Sequence, residues 1–204
     1  MGLRLLILSW ITPKFLIRRE LENISDKTTK ALDILTSKYA AKTFDAENQR
    51  QRPKSIQEQR AAMAQTQAKL VETLATSVGH DEAVKLGREI LFSVGQDLGK
   101  QARSSLGVGD SPKDLTRAAK ILYHILGIEF HLEWHDQSSA TLIIDRCALA
   151  EQYSKTTCEI MSATDEGVIN GLQPKLTMKF KEYMTSGCKN CRASINLDQK
   201  EAQN

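Results

Sequence analysis

The sequence predicts an α+β protein in which an N-terminal helical region is followed by two antiparallel β-hairpins with an intervening helix. The first observation is a change in hydrophobic spacing at Gly127, since apolar residues recur every three or four positions before it and every second position after it. The second is that all four cysteines follow this change. The length of 204 residues suits one large domain, or one domain with a helical extension.

The composition and charge of the chain argue against nucleic-acid binding. Hydrophobic residues make up 41% of the chain and charged residues 26%, as in ordinary globular proteins. The net charge of +3 is small, and both signs are interspersed without a basic stripe that carries aromatic side chains. We therefore expect no nucleic-acid partner.

An amphipathic N-terminal arm is predicted over residues 1–19. Its apolar run, Leu5 to Ile11, is shorter than a membrane span or a usual signal peptide, and no small-residue cleavage site follows. One interpretation is an arm that is buried or covered by a partner. The other is a docking segment on a membrane surface, with basic residues near the headgroups. We expect a cytoplasmic protein, peripheral to the membrane under the second interpretation. The basic residues are Arg4, Lys14, Arg18 and Arg19.

Four helices are predicted between this arm and Gly127. Two of them open with capping residues, namely Ser55 with a glutamate three residues later, and Ser111 followed by Pro112. A polar segment around Pro53 forms a loop. The predicted helices cover about residues 20–47, 55–78, 81–106 and 112–126.

The third of these helices carries glycines at four-residue steps, so that Gly87, Gly95 and Gly99 lie on one stripe. Each glycine costs a helix about 1 kcal/mol relative to alanine, and we expect a contact that offsets this cost. A close approach by a neighbouring helix is one explanation, and a ligand pressed against the stripe is the other.

After Gly127 the alternating pattern predicts strands at about residues 128–135, 140–145, 176–184 and 191–197, with a helix between the hairpins. His131 and His135 share one strand face with Glu129 and Glu133. Such a row is either the solvent side of an antiparallel sheet, or a second metal site or acid–base face. The predicted organisation is a helical region over residues 20–126, a cysteine-containing module over residues 127–197 and a flexible tail over residues 198–204.

The cysteines indicate a metal site. Cys188 and Cys191 form a CxxC pair in the turn of the second hairpin, a spacing that delivers two thiolates to one zinc ion. A redox pair and two incidental thiols are the alternatives, although a redox pair usually opens a helix. In a chain without a secretory signal, cysteines are expected to be thiols or metal ligands rather than disulfides.

Cys147 and Cys158 are the natural partners of this pair. A capping box formed by Thr156 and Glu159 starts a new helix beside Cys158, and so separates it from Cys147 at the exit of the second strand. The helix N-terminus favours a thiolate at Cys158. Taken singly, both residues are explained equally well as small buried hydrophobic groups. The predicted zinc ligands are Cys147, Cys158, Cys188 and Cys191.

Asp165 lies two turns after Cys158 on the same helix face, about 10 Å further along the axis. At that distance the two residues do not readily share one metal ion. Asp165 is a candidate for contacting a substrate, or for acting as a general base through water. The alternative is a solvated helix carboxylate beside Glu166.

The ordered spacing of these residues resembles a known family. The matching segments are Cys147-Ala-Leu-Ala-Glu151, Cys158, Asp165, Gly171-Leu-Gln-Pro-Lys-Leu176 and Gly187-Cys-Lys-Asn-Cys191. They resemble the L-2-amino-thiazoline-4-carboxylic acid hydrolase family over about residues 128–195, and more loosely the 4-vinyl reductase domain, a small-molecule-binding module. An acidic residue is expected near the first cysteine of the pair in hydrolase-like members. Its absence here favours metal binding.

The resemblance implies hydrolytic opening of a thiazoline ring. Under this first hypothesis, the protein cleaves a C–N or C–S bond of a small heterocycle. A zinc ion polarises water, Asp165 takes the proton, and Cys158 is the alternative nucleophile. A zinc ion with four cysteine ligands is closed, however, whereas a catalytic zinc keeps an open position.

The second hypothesis is a non-catalytic sensor or structural module. Its cysteines would hold a metal ion or a small ligand, and its N-terminal helices would dock a protein partner or a membrane surface.

Overall fold

The computed structural model describes residues 3–40, 53–136 and 138–197, without the side chains of residues 3, 4, 9 and 10. The predicted flexible tail and the end of the first predicted helix lie outside these residues. The helices are α1 (Leu3–Trp10), α2 (Lys14–Tyr39), α3 (Ile56–Val78), α4 (His80–Leu106), α5 (Pro112–Leu126) and α6 (Lys155–Leu172). The strands are β1 (Ile128–Trp134), β2 (Ser139–Cys147), β3 (Leu176–Glu182) and β4 (Cys191–Leu197). The α+β prediction is confirmed.

The two predicted hairpins join into one four-stranded antiparallel sheet with the order β1-β2-β4-β3. The junction is the pairing of β2 with β4, in which Ile144 lies opposite Cys191. One face of the sheet packs against Tyr123 of α5 and Ile169 of α6. The exits of β2 and β3 and the start of β4 are thereby brought next to the first turns of α6.

The other face of the sheet is turned to solvent. His131, His135, Glu129 and Glu133 are all exposed. Their side chains form hydrogen bonds or ion pairs with polar groups of neighbouring strands, as in the ion pair of Glu133 with Arg192 at 3.4 Å. The row predicted on this strand is therefore the solvent side of the sheet.

The helix starts follow from their caps. Ser55 and Ser111 cap α3 and α5 as predicted, because each side-chain oxygen accepts a hydrogen bond from the backbone three residues later. Helix α6 differs, since its cap is Ser154 and not Thr156. The Ser154 hydroxyl accepts from the Thr157 amide at 3.1 Å, and Cys158 remains in the first turn. Helix α2 begins at Lys14, directly after Pro13. It therefore includes the last residues of the arm predicted over residues 1–19.

The N-terminal helices pack on the rest of the chain through one face only. Leu5 of α1 is fully buried in a core shared with α5, and Ile17 and Leu21 of α2 belong to the same core. The inner side of residues 5–21 is therefore packed in the core. Within the described ranges, no helix has both the length and the apolar character that crossing a bilayer requires.

The glycine stripe of α4 meets a second stripe on α6. A methyl group added to Gly95 would overlap the backbone carbonyl of Thr164, and one added to Gly99 would overlap the carbonyl of Val168. In return, a methyl group at Gly167 of α6 would overlap the carbonyl of Phe92. The approach of a neighbouring helix is therefore the correct explanation of the stripe. Backbone-to-backbone contact fixes α6, and with it Cys158 and Asp165, against α4.

Candidate functional site

A cavity of about 850 Å³ lies between the N-terminal helices and α4, α5 and α6. Its wall is mostly aliphatic, and its polar groups come from α2, α4, α5 and α6. Asp165 and Thr164 of α6 and Tyr123 of α5 are among them. The aliphatic wall includes Leu8, Ile24, Leu98, Leu122, Val168 and Ile169.

Two acidic residues line this wall, Glu20 and Asp165. Glu20 pairs with Arg19 at 2.7 Å, whereas the environment of Asp165 is unusual for an aspartate. Burial raises the pKa of its carboxyl from the usual range of an aspartate to about 7, and the neighbouring negative charge of Glu166 acts in the same direction. Within the described part of the chain, no hydrogen bond or ion pair reaches its carboxylate. At neutral pH both protonation states are therefore populated, which suits a group that accepts and returns a proton.

Glu166, the next residue of α6, has different contacts. Its side chain points away from the cavity wall and forms an ion pair with Arg88 at 2.6 Å. It also accepts a hydrogen bond from the backbone amide of Phe180 at 3.2 Å. Glu166 therefore ties α6 to α4 and to β3, whereas Asp165 keeps its carboxylate available.

Three of the predicted cysteines lie near enough to Asp165 for its charge to act on their thiols. Cys147 ends β2, Cys158 lies in the first turn of α6, and Cys191 begins β4. Burial raises the pKa of the Cys147 thiol to about 11 and that of Cys158 to about 12. Burial also raises the pKa of Cys191. In each case the negative charge of Asp165 adds to the increase.

The thiols of this group are accordingly protonated at neutral pH. For Cys158 burial outweighs the helix N-terminus that was expected to favour a thiolate, and only the nearby Thr185 hydroxyl lowers the pKa. The Cys191 sulfur accepts a hydrogen bond from the Met184 amide at 3.3 Å. These are the surroundings of neutral, packed thiols.

Cys188 stands apart from the other three cysteines. It lies in the partly exposed turn before β4, and its charge affects the pKa of Cys191 but of neither Cys147 nor Cys158. Among the residues with described side chains, no group of three or more His, Cys, Asp and Glu is arranged to hold a metal ion. As they lie, the four cysteines do not form a ready zinc centre, and zinc binding stays a prediction.

Two tyrosines near Asp165 were missed in the sequence, and of these Tyr123 lines the cavity. Burial raises the pKa of Tyr123 and of Tyr153, and the charge of Asp165 acts on both. The Tyr153 hydroxyl donates to Gln67 of α3, whose amide donates in turn to Thr28 of α2 at 2.7 Å. A hydroxyl at Tyr123, within the apolar stripe of α5, is the signal that would have pointed to it.

Comparison with solved structures shows that the fold of this chain is similar to that of two proteins. A trafficking protein particle complex subunit 3 from Naegleria fowleri, covalently bound to palmitic acid, is 15% identical with a TM-score of 0.55. The match covers 68% of this chain and 94% of that one. The phenol-responsive sensory domain of the transcription activator PoxR, solved with phenol, is 18% identical with a TM-score of 0.50, over 70% and 76% of the two chains.

Comparison with protein families gives a closer relationship. No curated protein matches the chain. The family model for L-2-amino-thiazoline-4-carboxylic acid hydrolase matches residues 57–194. The matched range includes the cysteines, Asp165 and both tyrosines, together with the helices α3 to α5. The chain therefore belongs to the L-2-amino-thiazoline-4-carboxylic acid hydrolase family.

Proposed function

We propose that the protein binds an apolar small molecule in the cavity, with a hydrogen-bonding group of that molecule at Asp165. The observation that carries this proposal is the combination of an aliphatic cavity of about 850 Å³ with a half-buried carboxylate in its wall, to which the described residues make no hydrogen bond or ion pair. Ligand sites commonly pair an apolar wall with a few polar groups that fix orientation.

The two similar folds support an apolar ligand. One was solved with palmitic acid and the other with phenol, and each of these molecules has an apolar body and one oxygen-bearing end. Both identities lie far below the level at which a ligand transfers from one protein to another. The support is therefore for the class of ligand and not for either molecule.

The binding test uses cis-parinaric acid, a fluorescent fatty acid, with palmitic acid and phenol as competitors. We expect saturable binding, and we expect Ala102→Trp to abolish it because Ala102 lines the cavity and the indole would fill the space. Ala62→Trp on the exposed side of α3 is the matched control and should bind as the wild type does. Equal binding by both variants would place the ligand elsewhere and overturn the proposal.

Hydrolysis is the second candidate function, favoured by the family and by the pKa of Asp165. The Asp165 carboxylate would take a proton from water while the hydroxyl adds to the ring carbon between nitrogen and sulfur. As the added hydroxyl becomes a carbonyl, its proton passes to the former ring nitrogen. One C–S or C–N bond of the ring breaks, and protonated Asp165 returns the other proton to the leaving sulfur or nitrogen. One water molecule is consumed. A Cys158 thiol with a pKa of about 12 is a weaker candidate for the attack.

The hydrolysis test incubates the protein with L-2-amino-thiazoline-4-carboxylic acid and follows the ring-opened product, heavier by one water, by mass spectrometry. Turnover that Asp165→Asn abolishes and that Asp97→Asn retains would support the hydrolase. Asp97 is an exposed aspartate of α4 and serves as the matched control. Binding of cis-parinaric acid without turnover would instead support the non-catalytic binding module.

A further inference from the structure

We propose that the protein docks on anionic lipid bilayers through the outward side of its first two helices. We call this surface the N-terminal docking face, and it consists of Ile7, Ile11, Lys14, Phe15 and Arg19. The occupant of this face is inferred from its exposure, its charge and its position beside the cavity.

The apolar residues of this face are exposed although the helices that carry them are packed. Ile7, Ile11 and Phe15 are 57%, 74% and 71% exposed. Seven large hydrophobic side chains are well exposed in the described part of the chain, so three of the seven fall within nine consecutive residues. Leu5 and Ile17 anchor the opposite side in the core. Such a concentration marks an interaction surface.

The net positive charge of the chain is concentrated in the same N-terminal residues. Residues 1–20 contain four basic residues and one acidic residue, a net charge of +3, and the whole chain has 28 basic and 25 acidic residues, also +3. Residues 21–204 therefore carry 24 of each sign. Lys14 and Arg19 are exposed. Arg19 forms a surface ion pair with Glu20 at 2.7 Å, and Arg18 donates to the backbone carbonyls of Pro53 and Lys54.

An anionic bilayer can bind both the exposed apolar side chains and the positive charge of this face. Apolar side chains enter the boundary between headgroups and acyl chains, while flanking lysine and arginine side chains remain with the anionic headgroups. Ile7 and Arg19 also line the cavity. Docking would therefore bring the wall of the apolar cavity next to lipid, from which an apolar ligand could exchange.

The test is flotation of the full chain with vesicles of phosphatidylcholine alone and with vesicles that also contain phosphatidylserine. We expect the protein to float with the anionic vesicles, and we expect added salt to weaken this binding because the headgroup attraction is screened. The double variant Ile11→Glu with Phe15→Glu should reduce the bound fraction about tenfold or more, since two apolar side chains are lost from the contact.

The matched control is Ile34→Glu with Tyr39→Glu, which adds the same charge to exposed hydrophobic positions near the other end of α2. It should float as the wild type does, and both variants should keep the wild-type melting temperature. Absence of flotation with anionic vesicles would overturn the proposal. A wild-type dimer in solution that becomes monomeric only in the Ile11 and Phe15 variant would also overturn it, because the face would then join two copies.

Discussion

Asp165 and Glu166 are consecutive residues of α6 with opposite surroundings. The Glu166 carboxylate lies 2.6 Å from the Arg88 guanidinium and also accepts a backbone hydrogen bond. The Asp165 carboxylate lines the cavity, and no hydrogen bond or ion pair reaches it from the described residues. The Glu166 carboxylate thus stabilises the fold, whereas the Asp165 carboxylate is available to bind a ligand or a proton.

Replacing Asp165 with asparagine should stabilise the protein above neutral pH. The pKa of Asp165 is raised to about 7 in the folded chain and returns to about 3.9 on unfolding. Ionised Asp165 therefore lowers the free energy of unfolding as pH rises between these two values, and the full penalty is present above the folded pKa. Urea denaturation should show Asp165→Asn to be more stable by roughly 2–4 kcal/mol near pH 8, with little difference near pH 4.

Glu166→Gln provides the opposite case. It removes the charge that pairs with partly buried Arg88, and we expect a loss of roughly 1.5–3 kcal/mol in the free energy of unfolding at neutral pH. If Asp165→Asn destabilised the protein to a similar extent at every pH, the Asp165 carboxylate would stabilise the fold through a contact with another residue and would not be available to a ligand.

Adding a side chain to the glycines at which α4 and α6 touch is expected to destabilise the protein. Gly95→Ala or Gly167→Ala should lower the free energy of unfolding by roughly 1–3 kcal/mol or more, because the added methyl group meets backbone and not a mobile side chain. Thermal denaturation measures this effect. Ser104→Ala on the exposed side of α4 is the control, and equal melting temperatures for all three variants would show that the helices are further apart.

The sequence predicts most of the fold because the fold depends on local signals. Alternation of apolar residues predicted β1 and β4, and capping serines predicted the starts of α3 and α5. The four-residue glycine steps correctly indicated a helix contact, but only the structure identifies α6 as the partner helix, since that pairing joins residues far apart in the chain. The cap of α6 was misplaced because Ser154 and Thr156 are both good capping residues.

The site was less predictable than the fold. Asp165 and Cys158 were identified from spacing, but the cavity arises from five helices that are distant in sequence. The effect of burial on the thiols also could not be derived from the helix position of Cys158. Tyr153 belongs to a turn between β2 and α6, where its sequence context carries no periodic signal.

The raised thiol pKa values predict selective alkylation. At about pH 7.5 iodoacetamide should label Cys188 first, because only thiolates react readily and because Cys147 and Cys158 have pKa values of about 11 and 12. Mass spectrometry of peptides after short exposure measures the order, with Cys188→Ser to verify the assignment. Labelling of Cys158 as fast as that of Cys188 would show an activated thiolate and would restore it as a nucleophile.

Zinc binding has a separate test in elemental analysis of the purified, tag-free protein. If the four cysteines bind zinc as the sequence predicts, the metal content will be about one ion per chain. Each single Cys→Ser variant will then lower the metal content and the melting temperature together. A zinc-free wild-type protein with small, additive effects of the four variants would rule out the four-cysteine site.

The central claim, a ligand site formed by the cavity and Asp165, is tested most directly by a crystal structure of the protein with cis-parinaric acid. We expect the hydrocarbon chain to lie in the cavity between the N-terminal helices and α6. Its carboxyl group should lie within about 2.6–3.2 Å of the Asp165 carboxyl, one of the two being protonated. Ligand density on the protein surface, or in the cavity with Asp165 still unpaired, would contradict the account.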